Sequence, residues 1–208
     1  MMTTALKVAQ ALLTQKAVFL RPAEPFTWAS GIKSPIYCDN RLLISKPETR
    51  EFITQAFVEL VNTHNLRPEV IAGTATAGIP WAAWLAQALR LPMVYVRSSA
   101  KDHGRKNLIE GEVMPDARTL LVEDLISTGK SSLGAVRALQ EEKMKVLAVV
   151  GLFHYNFLQA HEVFRQHSVA ALPLCTLDDM LTWAVQHGDL LPQQAEEVRT
   201  WRQNVVFP

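Results

Sequence analysis

Charge imbalance, paired cysteines and long apolar runs are all missing from this chain. Its 208 residues carry 21 Lys and Arg against 20 Asp and Glu, a formal net charge of +1. So balanced a surface offers no global attraction to nucleic acid or to an anionic membrane, and neither is expected as a partner. Cys38 and Cys175, the two cysteines, lack C-x-x-C spacing. That fits free thiols in a reducing cytoplasm, although the sequence leaves a disulfide between them open. No apolar run approaches the ~20 residues a membrane span needs. The opening M-M-T-T-A-L-K-V-A-Q has no signal-peptide architecture. Internal repeats and low-complexity tracts are absent too. What is present is ordinary for a globular protein, 49% apolar and 20% charged residues, and the length implies one domain, or one with a small appendage.

Buried strands are expected where short apolar runs occur: near 70, 94, 121, 148 and 171. A short strand at Val18, Phe19 and Leu20 precedes them. Helical periodicity separates the runs. Residues 4–16 place Leu6, Ala9, Leu12 and Leu13 on one face, after a threonine cap. Residues 47–64 begin at Pro47 and offer Phe52, Ala56, Val58 and Leu60 as core. Further helices are expected over 79–89, from about 130 to 143, over 157–167, and as a pair within 176–203 around Gly188 and Pro192. Strands alternating with helices predict an α/β fold with a mostly parallel central sheet.

The densest chemistry lies in 120–132, read L-L-V-E-D-L-I-S-T-G-K-S-S. Leu120, Leu121 and Val122 form a strand-like run that the carboxylates Glu123 and Asp124 end. Small hydroxyl residues then lead into a helical pattern. Ligands of open α/β sheets sit at such junctions, beyond the carboxyl end of a strand. Backbone amides around 128–132, at a positive helix end, suit a phosphate dianion. The two acids would repel that phosphate, so they should face hydroxyls or a bound cation. A ribose 5-phosphate, its diol on the acids, satisfies both halves. The triplet Gly129-Lys130-Ser131 mimics the end of a P-loop, but the required earlier glycine would fall at Asp124, and the P-loop is rejected.

This stretch resembles the phosphoribosyl-pyrophosphate (PRPP) motif of type I phosphoribosyltransferases, with Lys130 standing where the family usually has a small residue. A second segment, 26–41, F-T-W-A-S-G-I-K-S-P-I-Y-C-D-N-R, is similar to the N-terminal signature of the orotate phosphoribosyltransferases. The resemblance implies a type I phosphoribosyltransferase fold spanning 1–208, with a small hood from about 1–45 and part of 176–208. It also implies transfer of the phosphoribosyl group from PRPP to orotate in pyrimidine biosynthesis, with magnesium, in a homodimer with shared active sites. Magnesium would arrive with PRPP, Asp124 being the candidate protein contact.

Carried over residue by residue, the resemblance gives PRPP contacts at Arg97, Lys101, His103, Glu123, Asp124, Leu125, Ile126, Ser127, Thr128, Gly129, Lys130 and Ser131. Thr128 and Ser131 are expected on the 5-phosphate. The catalytic set is Lys101, His103 and Asp124. Thr74, Ala75, Thr76 and Ala77, in a second small-residue loop after a strand, are expected on pyrophosphate. Ser127, Lys33 and Tyr37 are expected on orotate. A polar run at 98–111 reads as a mobile cationic lid. Several family cations are missing: Ala29, Ala77 and Ser98 replace lysines of another branch, and His154, Tyr155 and Asn156 stand where that branch has an orotate-binding arginine. Two rivals differ in what they need. A purine-base transferase would not need segment 26–41. A PRPP-sensing regulator of nucleic acid would need a basic surface or a DNA-reading appendage.

Overall fold

The computed structural model describes residues 2–99 and 108–207. Apolar runs and helical stripes alternate along the chain, and each becomes an element. In order these are α1 (Thr4–Thr14), β1 (Val18–Leu20), β2 (Phe26–Thr27), β3 (Lys33–Ser34), β4 (Ile36–Cys38), a 3₁₀ turn (Asn40–Ser45), α2 (Pro47–Thr63), β5 (Val70–Thr74), α3 (Gly78–Leu89), β6 (Met93–Val96), β7 (Ile109–Glu110), β8 (Arg118–Ile126), α4 (Lys130–Glu141), β9 (Lys145–His154), α5 (Leu158–Gln166), β10 (Ala170–Thr176), α6 (Leu177–Gln186) and α7 (Pro192–Asn204).

Among the described residues, six strands form the central sheet in the order β10-β9-β8-β5-β6-β7. All neighbours are parallel except β6 and β7. Side-chain alternation explains why the middle stretches of the parallel strands are apolar on both faces. Ile71, Leu120 and Val122 point into a core shared with α1, α2, α3, α6 and α7, whereas Val70, Ala72 and Leu121 point into one shared with α4 and α5. A sheet covered on both faces has no polar side to show. From β5 the chain steps to β6 on one side, while β8, β9 and β10 extend on the other. The crevice between the carboxyl ends of β5 and β8 is therefore the topological switch point, where such sheets hold ligands.

Some elements differ from the sequence expectation. Helix α2 buries Ile53, Thr54, Ala56, Phe57 and Val61 rather than Phe52, Val58 and Leu60, which are only partly covered. Apolar residues ring this helix, so periodicity alone does not choose the stripe. Strand β8 does not end at Glu123 and Asp124. It pairs with β9 as far as Ile126 opposite His154, carrying both acids inside a strand. The sixth strand, β7, falls inside the proposed lid: Ile109 is buried and pairs with Val96, so an apolar β-branched residue finishes the edge of the sheet.

Against the sheet's carboxyl edge lies the N-terminal segment, with β1 antiparallel to β4 and β2 antiparallel to β3. One side chain ties it down. Buried Asn40 donates from Nδ2 to the backbone oxygen of Asp124 at 2.7 Å, and its Oδ1 accepts from the Cys38 thiol at 3.2 Å. At the other end of the chain, Trp201 on α7 donates from Nε1 to the Lys33 oxygen at 2.8 Å. Cys38 and Cys175 are both free thiols. None of the described helices is long and apolar enough to cross a membrane.

Candidate active site

A cavity of about 340 Å³ opens at the switch point. The loop 74–77 after β5 forms one wall; Glu123, Asp124, Leu125 and Ser131 form another; residues 38–41 close the third. Loop and acids are held at a fixed separation by a backbone contact. A Cβ on Gly78 would come within 2.5 Å of the Val122 oxygen, so only glycine lets α3 begin this close to β8.

Glu123 is buried and accepts from the hydroxyls of Ser132 at 3.1 Å and Ser131 at 3.4 Å. Burial, reinforced by the neighbouring Asp124 charge, pushes its pKa up to about 8, with Ser132 pulling the other way. Burial likewise raises Asp124. Two adjacent acids in a partly dry cavity resist full ionisation. A polyhydroxyl ligand or a cation would relieve that resistance. The buried Thr74 hydroxyl lies beside Glu123 and, like Ser132, favours its charged form.

Beyond β8 the chain turns through Gly129, whose φ of +79° suits glycine, into the N-terminus of α4. A Cβ there would also press on the Phe164 ring at 3.0 Å. The first amides of α4 have no partners inside the helix, so the loop 127–131 presents donors and a positive helix end to an anion.

A second cavity of about 440 Å³ adjoins the first, and the two share Cys38 and Leu125. Its walls are Thr27, Trp28, Ala29, Tyr37, Ser127 and Tyr155. Aromatic rings dominate, each braced from behind. Tyr37 leans on Phe26 at 5.6 Å, Tyr155 stacks on Phe157 at 5.0 Å, and Trp28 meets Tyr155 and Trp201 edge-on at 5.7 Å each. Trp28 is further fixed by its Nε1 donating to the Ile36 oxygen. Burial, with the Asp124 charge next, keeps the Cys38 thiol protonated, so it donates to Asn40 rather than acting as a thiolate. A flat ring with one polar edge fits between these walls.

The structure thus brings Thr74, Ala75, Thr76, Ala77, Glu123, Asp124, Leu125 and Ser131 to one cavity, and Tyr37 and Ser127 to the other. Ile126 is buried in the core, so only its backbone can face a ligand. Lys33 reaches the second cavity indirectly, its ammonium donating to the Thr27 hydroxyl at 2.6 Å. Arg97 pairs with Glu110 at 3.5 Å on the sheet edge. Lys101 and His103 lie outside the described residues. Sequence reasoning did not single out Asn40, Ser132, Arg41 or Tyr155. Ser132 was legible as the end of the hydroxyl run. The long-range reach of Asn40 left no local signal.

Comparison with known proteins gives a consistent set of likenesses. Residues 45–169 match the phosphoribosyl transferase domain family. The chain is 48% identical over 197 residues to orotate phosphoribosyltransferase of Bacillus subtilis, covering 95% of this chain and 91% of that protein. It is 47% identical over 198 residues to orotate phosphoribosyltransferase of Cytophaga hutchinsonii, covering 95% of each. The crystal structure of orotate phosphoribosyltransferase from Aeropyrum pernix superposes with a TM-score of 0.76 at 27% identity, covering 88% of this chain and 99% of that one.

Proposed function

The chain belongs to the phosphoribosyltransferase family, within it to the orotate phosphoribosyltransferases, and on that premise we propose that it transfers the 5-phosphoribosyl group of PRPP to orotate. The products are orotidine 5-phosphate and pyrophosphate, in pyrimidine biosynthesis. The observation that carries this reading is the pair of cavities joined at Cys38 and Leu125. One is built for hydroxyls and phosphates, the other for a flat ring, and a ribose anomeric carbon at their junction would lie between leaving group and base.

In this reading the 5-phosphate sits on the loop 127–131, with Thr128 and Ser131 donating to it. Asp124 and Glu123 hold the ribose diol. Loop 74–77 receives the diphosphate. As the bond from the anomeric carbon to the diphosphate lengthens, positive charge develops on the ribose, and the Asp124 carboxylate is placed to oppose it. Ser127 and Tyr37 contact orotate, and Lys33 orders the pocket through Thr27. The family resemblance adds Arg97, Lys101 and His103 as cationic contacts to the departing pyrophosphate, and a neighbouring subunit of a homodimer as their source. It also makes residues 1–45 and part of 176–208 a hood over the site.

Magnesium suits the donor set. Among the described residues no group of three or more His, Cys, Asp or Glu could form a protein cage for a metal. Magnesium, however, is commonly held by one or two carboxylates plus substrate oxygens. Asp124 would hold it, and the ion would offset charge on the diphosphate.

A base screen tests the proposal. Protein, PRPP and magnesium are mixed with each nucleobase in turn, and pyrophosphate release is followed. Release with orotate is expected. Release with hypoxanthine, adenine or uracil but not with orotate would overturn the substrate while sparing the fold.

A further inference from the structure

The diphosphate end of the first cavity has a charge problem. Its walls carry Asp39, Glu123 and Asp124, and the loop 74–77 contributes amides and hydroxyls but no cation. An incoming diphosphate would meet carboxylates from two sides. Among the described lining residues one side chain answers this, Arg41, on the 3₁₀ turn beside Asp39. Its guanidinium is held by Asp39 through Nε to Oδ1 at 2.6 Å and Nη2 to Oδ2 at 2.9 Å. Asp39 also accepts from the Arg41 amide at 3.2 Å, which fixes the start of the turn. Nη1 has no hydrogen-bond partner among the described residues, and the side chain is 65% exposed. An ion pair this open holds its partner weakly, whereas a phosphate matches the planar fork of arginine and carries more charge than one carboxylate.

We propose that Arg41 binds the diphosphate of PRPP and of product pyrophosphate, supplying from the same subunit the positive charge that the loop 74–77 lacks at Ala77. Asp39 parks the guanidinium at the cavity mouth and yields part of it when the anion arrives. The inference rests on the transferase reading above and names a binding residue within that site. It also gives the segment after β4 a second task. Asn40 fixes the backbone of Asp124, while the next residue reaches the other end of the same substrate.

The test uses inorganic pyrophosphate as probe, titrated calorimetrically into the full chain with magnesium, alongside steady-state kinetics. Arg41→Gln is expected to weaken pyrophosphate binding and raise the PRPP KM about tenfold, the usual scale for losing a charge-assisted hydrogen bond. The orotate KM should not change. Arg41→Lys should recover part of the loss, because charge returns without the fork. Asp39→Asn separates this role from a structural one, since asparagine keeps an acceptor for the Arg41 amide while releasing the guanidinium. Pyrophosphate binding should then stay the same or tighten. Unchanged binding in Arg41→Gln, or an equal loss in Asp39→Asn, overturns the proposal. Failure of the transferase reading looks different, because the wild-type chain itself would then release no pyrophosphate from PRPP with orotate.

Discussion

The sheet's carboxyl edge and the segments proposed as a hood over it are built by opposite means. At the edge, backbone geometry sets the site: Gly78 seats α3 against Val122, Gly129 turns the chain into α4, and strand pairing carries Glu123 and Asp124 to their places. In the hood, single side chains do the holding: Asn40 on the Asp124 oxygen, Trp201 on the Lys33 oxygen, Trp28 against Tyr155 and Trp201. An edge fixed by backbone tolerates little and suits the reacting charges. A hood fixed by side chains can change its aromatic walls without disturbing the sheet, and so suits choice of base. The difference predicts that edge variants fail in turnover or PRPP binding, and variants of the aromatic walls in orotate binding; Arg41 stands with the edge, because its side chain reaches the first cavity.

The largest effect is expected at the edge itself, where Asp124 is paired with Lys101 of the proposed lid across subunits. Asp124→Asn alone and Lys101→Ala alone should each lose about 10²-fold or more of turnover, as when one transition-state contact is removed. If Lys101 acts on the neighbouring subunit, mixing the two inactive variants yields some hybrids with one intact site, and pyrophosphate release returns. A mixture that stays inactive would confine each Lys101 to its own subunit.

Thr128→Val comes next. Losing a hydrogen bond to a charged phosphate, worth roughly 1.5–3 kcal/mol, should weaken PRPP binding about tenfold or more. Orotate binding measured separately should hold, and an unchanged PRPP affinity would move the phosphate off this loop.

A smaller effect should appear in acid. His154 ends β9 opposite Ile126, buried 5.3 Å from His161, and burial first and His161 second lower its pKa to about 4. A histidine held neutral in the fold but free to charge when unfolded contributes stability above pH ~6.5 that drains away as pH falls toward ~4. By pH 5.5 the loss should reach about 1 kcal/mol. His154→Asn, which keeps an acceptor for the Asn156 amide, should flatten that part of the denaturation-versus-pH curve. An identical curve would show that His154 is not the source.

Trp201→Phe should do least. It keeps a ring against Trp28 and Phe157 but loses the donor to Lys33. The orotate KM should rise roughly two- to fivefold, as for one neutral hydrogen bond of about 0.5–1 kcal/mol, with the PRPP KM unmoved. A change in the PRPP KM instead would blur the division between edge and hood.

The same contrast explains what could be read beforehand. The five parallel strands announce themselves as apolar runs because helices cover both faces of the sheet. The loop 127–131 was legible as a turn into a helix because small hydroxyl residues follow one another there after an apolar run. Strand β7 was not, being two residues long and set inside a polar stretch. Neither was the buried stripe of α2, where apolar residues ring the helix. Asn40 and Trp201 are invisible for a deeper reason. Each makes its decisive contact with a backbone oxygen, which any residue could supply, so nothing in the partner's sequence marks the meeting place.

Those two contacts span 84 and 168 residues. During synthesis, Lys33 has long been made when Trp201 appears, whereas all the strands of the parallel sheet precede Trp201. The order of assembly follows from that separation. The sheet and the loop 127–131 can form while the aromatic pocket waits for α7, and loops this long close late. In refolding, recovery of orotate turnover should therefore trail recovery of secondary structure, and a nascent chain should be able to hold a phosphate before it can choose a base.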